Sequence, residues 1–259
     1  MANWDAELYL RFGHERTQAA IDLAARIELA SPARVADLGC GPGNSTAVLR
    51  ARWPAAEVVG VDSSPEMIAA AKASDPAGRW VLGDLATWSA DRPFDVIYSN
   101  AALQWVPDHA AVIPRLFELV APGGALAIQI PAHFESPLHR LIEEIADRPG
   151  WRGHPATART ALTVQRPGFY YYDALSPLAA RVDLWVTEYW HVMDGPSAIV
   201  DWIRGTGLRP FLAACADDAE RSEFERQLLC GVERAYPRQA DGRLLFPFRR
   251  LFVVAYQAD

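Results

Sequence analysis

Residues 34–46, Arg34-Val35-Ala36-Asp37-Leu38-Gly39-Cys40-Gly41-Pro42-Gly43-Asn44-Ser45-Thr46, constrain the fold more than any other stretch. Val35 to Leu38 is a short apolar run that reads as a buried strand, broken only by Asp37. Glycines then alternate at 39, 41 and 43. Asn44, Ser45 or Thr46 can cap a helix running through Val48 and Leu49 to Trp53, where Pro54 stops it. Glycine has no Cβ, so a strand–glycine turn–helix lets backbone N–H groups come close to a ligand, most commonly a nucleotide cofactor.

Composition limits what surrounds this turn. A chain of 259 residues, half of them hydrophobic, fits one large domain or a core domain with a smaller addition. A formal charge of −7 argues against nucleic acid as partner, because that affinity rests on Lys and Arg neutralising phosphates. Cys40, Cys215 and Cys230 share no metal-ligand spacing and suit a reducing compartment. Asp5 and Glu7 near the start leave no apolar signal segment, and no run approaches the ~20 apolar residues of a membrane span. A soluble, cytoplasmic protein is the expectation. The histidines are scattered, His133 and His139 being too far apart for an i, i+4 pair, and no metal is expected.

Along the chain, an aromatic leader (Trp4, Tyr9, Phe12) precedes a helix over about Thr17–Ala30. The leader can fold over a cleft as a lid or pack against the sheet. The second strand, Glu57–Val61, ends at Asp62-Ser63-Ser64-Pro65, about twenty residues after the glycine turn, where a carboxylate can accept both hydroxyls of a ribose. The other reading of Asp62 is a helix N-cap ahead of Pro65, a role Ser63 or Ser64 can fill. A helix over Pro65–Ser74 turns Met67 and Ile68 inward. Strands follow at Trp80–Leu82, before Gly83-Asp84-Leu85, and at Phe94–Ser99, before Asn100 and the Leu103-Gln104-Trp105 lip. An amphipathic helix over Ala110–Val120 leads through Pro122-Gly123-Gly124 into a strand at Ala125–Ile130. That is an α/β pattern. Residues 147–180, rich in Arg, Pro and aromatics including Phe169-Tyr170-Tyr171-Tyr172, read as a lid or insertion. Helices at 137–146, 196–204 and 217–236 and strands at 182–190 and 250–256 complete the chain.

The glycine run departs from the dinucleotide fingerprint G-x-G-x-x-G, since Asn44 stands in place of the third glycine. Asp37, Gly39, Gly41 and Gly43 form instead D-x-G-x-G-x-G, which resembles motif I of the class I S-adenosylmethionine-dependent methyltransferases. The helix–Pro-Gly-Gly–strand segment at the right distance downstream strengthens the resemblance. It implies a Rossmann-like α/β fold: a mostly parallel seven-stranded sheet with an antiparallel last strand, plus a helical, aromatic lid. Four regions are expected: 1–33 as N-terminal lid and helix, 34–131 as cofactor core, 132–180 as substrate lid, and 181–259 completing the sheet. Ser99-Asn100-Ala101-Ala102 lacks the Asn-Pro-Pro-Tyr of enzymes that methylate adenine or glutamine nitrogen, which disfavours a nucleobase or amide acceptor.

Later segments narrow the likeness to the trans-aconitate 2-methyltransferases: Tyr171-Tyr172-Asp173, Asp201-Trp202-Ile203, Thr206-Gly207-Leu208-Arg209-Pro210 and Arg250-Leu251-Phe252. Asp5-Ala6, which lacks a proline usual there, and His133, where an amide is usual, depart from it. The resemblance implies methyl transfer to one carboxylate of a small tricarboxylate, S-adenosyl-L-methionine as cofactor and S-adenosyl-L-homocysteine as product. Asp37, Gly39, Gly41, Gly43, Asn44, Asp62, Ser63, Met67, Asp84, Leu85 and Asn100 are the expected cofactor residues. Tyr9, Trp105, Tyr171, Tyr172 and Arg209 are those for substrate, Arg209 because a planar guanidinium pairs bidentately with a carboxylate. A carboxylate nucleophile is already ionised, so no general base is expected. A methyltransferase for another small molecule, an NAD-dependent oxidoreductase and a non-catalytic cofactor binder are the alternatives; a monomer is the default expectation.

Overall fold

The computed structural model describes residues 13–161 and 169–259. Trp4, Tyr9, Phe12, Arg166 and Pro167 lie outside them. Chain contacts divide it into two units: Met1–Ile130 with Thr163–Thr187 and Arg250–Asp259, and Pro131–Leu162 with Glu188–Arg249.

In the first unit, helix α1 (Gly13–Arg26) precedes strand β1 (Arg34–Leu38), whose five residues are all buried. Burial on both faces is what a central parallel strand between helix layers requires. After β1 come α2 (Asn44–Arg52), β2 (Glu57–Asp62), α3 (Pro65–Ser74), β3 (Arg79–Leu82), β4 (Phe94–Asn100), a 3-10 turn (Leu103–Trp105), α4 (His109–Glu118) and β5 (Val120–Pro131). α6 (Phe169–Leu175) also lies here. The register of β1 against β2 pairs Ala36 with Val59 and Leu38 with Val61, and β4 against β5 pairs Asn100 with Gln129. All four pairings among β1 to β5 are parallel, so their carboxyl ends share one edge.

The second unit contains α5 (Pro137–Ala146), a 3-10 turn at Pro155–Ala161, α7 (Pro196–Arg204), α8 (Arg209–Ala213) and α9 (Asp218–Ala235). Ile142, Ile145, Trp202, Phe211, Phe224 and Leu228 form its buried interior. Glu220 ties its loops by accepting from the N–H groups of Arg152, Gly153 and Ala216. Strands β6 (Arg181–Met193) and β7 (Leu244–Tyr256) complete a seven-stranded sheet ordered β3-β2-β1-β4-β5-β7-β6. β7 runs against β5: Gln257 N donates to Gly124 O while Ala132 N donates to Arg249 O. The mostly parallel sheet with one reversed late strand is as expected.

Several local readings are corrected. The first helix ends at Arg26 rather than near residue 30. Gly43, not Asn44, Ser45 or Thr46, is the N-cap of α2, with no side-chain cap bond, because the two hydroxyls are engaged elsewhere. Pro122-Gly123-Gly124 lies within β5 rather than before it, and the β4–β5 register shifts between Phe94 and Val96 to absorb it. The short α8 stands between the helices expected at 196–204 and 217–236. His133 and His139 are not scattered: Ser136 caps α5 between them and their rings lie 5.1 Å apart, edge to face. Among the described residues no group of three or more His, Cys, Asp or Glu could hold a metal. No described helix is long and apolar enough to cross a membrane.

Candidate active site

At the carboxyl ends of β1 to β4 lies a cavity of about 280 Å³. Gly39, Gly41, Asp62, Ser63, Met67, Asp84, Leu85, Asn100 and Trp105 all line it, so four loop tips distant in sequence converge on one space. Gly39 and Cys40 N–H both donate to Val61 O, at 2.8 and 3.0 Å, which holds the turn against the end of β2. The turn needs glycine: φ is +76° at Gly39, +54° at Gly41 and +97° at Gly43. A Cβ on Gly41 meets nothing within 4 Å, so its open side faces the cavity. Gly43 lines no cavity described here; a Cβ there would come within 2.9 Å of the Trp80 ring. Asn44 lines a second, small cavity of about 20 Å³ with Thr17, Ser45 and Asn100.

Asp37 is fully buried beneath the turn. Ser45 Oγ and Thr46 Oγ1 both donate to its Oδ2, at 2.7 and 2.6 Å. Its Oδ1 accepts from no described donor. Burial outweighs the two hydroxyls and pushes the carboxyl up to about 6. Burial also raises the neighbouring Cys40 thiol, so it remains protonated and is no nucleophile.

Asp62 is not the cap of α3. Ser64 is, its Oγ accepting from Met67 N at 3.2 Å. Asp62 Oδ2 accepts from Gly41 N and Oδ1 from Ser64 N, each at 2.9 Å, which orients the carboxylate at the cavity wall. Burial raises its pKa, partly countered by those N–H bonds. Asp84 Oδ1 accepts from Ala86 N at 2.8 Å and so closes its own turn while lining the cavity. Asp62 and Asp84 thus give the cavity wall acceptors suited to a ligand with hydroxyl and amino hydrogens, while Asp37 lies buried beneath the turn.

Of the substrate residues expected from sequence, Trp105 lines the cavity. Tyr171 is fully buried and its hydroxyl lies 3.0 Å from His109 Nδ1. Tyr172, its neighbour, is exposed. Arg209 opens α8 in the second unit, half-buried, with its pKa lowered by desolvation. Tyr9 lies outside the described residues. Sequence reading missed Ser45 and Thr46 as partners of Asp37, although their hydroxyls recur one helical turn past the glycines. It also missed His109, which carries no motif.

A seven-stranded sheet reversed at its late strand, with a glycine turn over acidic strand tips, defines a class I methyltransferase. Residues 10–174 match the family model described as a methyltransferase domain. A solved protein of Bacillus subtilis, YcgJ, 14% identical, shares the fold with a TM-score of 0.62 over 93% of this chain and 99% of its own. Trans-aconitate 2-methyltransferase of Azoarcus sp. is 50% identical over 98% of this chain and 99% of the relative. The enzyme of that name from Methylobacterium radiotolerans is 49% identical over 100% of both. The chain belongs to the trans-aconitate 2-methyltransferase family, and S-adenosylmethionine is its cofactor.

Proposed function

We infer that this enzyme esterifies one carboxylate of trans-aconitate, releasing the monomethyl ester and S-adenosylhomocysteine. The observation that carries the site assignment is the single cavity joining Gly41, Asp62 and Asp84 to Asn100 and Trp105. Asp37 suits the methionine end of the cofactor, because a buried carboxylate with an unused oxygen matches an ammonium group. Asp62 suits the ribose hydroxyls, and Asp84 with the Leu85 N–H suits adenine. Met67 supplies an apolar wall. When bound, the cofactor supplies a methyl group on a sulfonium, which a nucleophile displaces in line.

With a pKa near 4, the acceptor carboxylate is ionised at neutral pH and needs no proton removed. The chain's task is therefore placement and drying. Fixing the reactants in near-attack geometry contributes roughly 7–11 kcal/mol of barrier reduction. Trp105, Val106 and Pro107 form an apolar border of this cavity. Tyr172 is proposed as a substrate contact from the family likeness. The test is product analysis with trans-aconitate and labelled cofactor, resolved by isomer. A methyl ester is expected, and transfer only to phenols or amines would overturn the reading.

A further inference from the structure

A row of polar side chains crosses the sheet at the carboxyl ends of its central strands. Asn100 on β4 is in register with Gln129 on β5, and Ala101 N donates to Gln129 O at 2.9 Å. Residues in register on adjacent parallel strands present their side chains to the same face. Arg250 on β7 extends the row, its Nη1 donating to Gln129 Oε1 at 3.4 Å. Gln129 is fully buried and Arg250 is 3% exposed. Asn100 lines both cavities at the glycine turn, so the row begins at the wall of the candidate cofactor space and reaches a guanidinium two strands along the sheet.

A cation at this level is unusual, because buried arginines are rare and desolvation is costly. The acids of the cofactor space, Asp37, Asp62 and Asp84, are attractive to a sulfonium and repulsive to a polycarboxylate. A positive group on the far side of Asn100 has the opposite preference: it repels the cofactor's charge and attracts the acceptor's. Arg115 is committed to the β3 loop, its two Nη groups donating to Trp88 O and Leu85 O. Gln129 fixes the fork of Arg250 from one side, as a positioning amide does for a bidentate contact.

We propose that Arg250 is the substrate-specificity residue of this site, binding one carboxylate of the acceptor acid and oriented by Gln129. The proposal rests on the reading of the acceptor as a carboxylic acid. The experiment measures trans-aconitate kinetics and S-adenosylhomocysteine affinity for the wild type, Arg250→Met and Arg250→Lys. Arg250→Met is expected to raise KM for trans-aconitate by about 10- to 100-fold. Affinity for S-adenosylhomocysteine should stay within about twofold. Arg250→Lys keeps the charge but not the fork and should recover part of the KM. If Arg250→Met does not fold, Arg250→Lys decides alone: a raised KM with unchanged S-adenosylhomocysteine binding supports the assignment. An unchanged KM, or a parallel loss of S-adenosylhomocysteine binding that makes Arg250 a strut, overturns it. A wild type that turns over no carboxylic acid overturns the acceptor reading and this assignment with it, whereas a wild type that turns over trans-aconitate beside variants of unchanged KM overturns this assignment only.

Discussion

The Tyr171 hydroxyl lies 3.0 Å from Nδ1 of His109, and Nε2 of the same ring lies 2.9 Å from the Leu103 carbonyl. A carbonyl only accepts, so Nε2 carries the proton. In the neutral ring Nδ1 then accepts, and Tyr171 donates to it. The histidine thereby joins α6 to the first residue of the active-site lip. Tyr171→Phe removes the donor and leaves a buried ring nitrogen unsatisfied, at about 1–3 kcal/mol. Thermal melting should show a loss of about 2–4 °C per kcal/mol for a chain of this size. An unchanged melting temperature would mean that the hydroxyl is not the partner of His109 in solution.

On the proposed assignment of Asp37 to the cofactor's ammonium group, cofactor binding depends on pH. The folded-state pKa of Asp37, about 6, is raised above the ordinary 3.8. Its contribution to the stability of the ligand-free fold is therefore fully present below the unfolded value and disappears as pH rises through 6. A bound ammonium group favours the ionised carboxyl, so the sign for binding is opposite. Affinity for S-adenosylhomocysteine should fall as pH drops below about 6, by up to tenfold per unit. Calorimetry across pH 5 to 8 measures it, and Asp37→Asn should give weaker binding with a flat profile over that range.

The glycine turn and the acidic strand tips of the proposed cofactor site were legible because they are local signals. A glycine turn requires positive φ at fixed places, and an acid at a strand's carboxyl end sits at that edge in any parallel sheet. Asp37, Gly41 and Asp62 could thus be named before any coordinates. What could not be read is whatever depends on long-range contact. Nothing near His109 in sequence announces Tyr171, and nothing in β5 announces that Gln129 meets Arg250. Helical spacing alone does not bring His133 to His139; a capped turn at Ser136 folds His133 back onto α5. Ser45 and Thr46 were read as caps because hydroxyls at a helix start usually are; a buried carboxylate below them competed successfully.

Two glycines of the turn should respond differently to a methyl group. At Gly41 a Cβ meets no atom within 4 Å, and the φ of +54° makes alanine strained by about 1–2 kcal/mol. The added methyl projects into the cavity, so Gly41→Ala should fold and bind S-adenosylhomocysteine at least tenfold more weakly, a loss of about 1.4 kcal/mol. At Gly39 a Cβ would collide with the Ala102 methyl, which has no rotamer to yield. Gly39→Ala should therefore lower the melting temperature more than Gly41→Ala does, with overpacking of about 1–3 kcal/mol added to the strain. Chemical denaturation of both variants without ligand separates the two effects. Equal stability would show that the turn moves away from Ala102 freely.

Asp62 holds the turn, and its proposed second role toward the ligand can be separated from the first by changing the ligand. Its two oxygens accept from Gly41 N and Ser64 N, and an asparagine offers only one acceptor oxygen for those two donors. Asp62→Asn should therefore disturb the turn even without ligand. If Asp62 also accepts from the ribose, S-adenosylhomocysteine should lose more affinity in this variant than its 2′-deoxy analogue does. The excess should be about 1.5–3 kcal/mol, typical of hydrogen bonds to a charged acceptor. The four affinities form a cycle in which the cost of a distorted turn cancels. Equal losses for both ligands would leave Asp62 as a support for Gly41 alone, and the ribose would then need another acceptor among the cavity's lining residues.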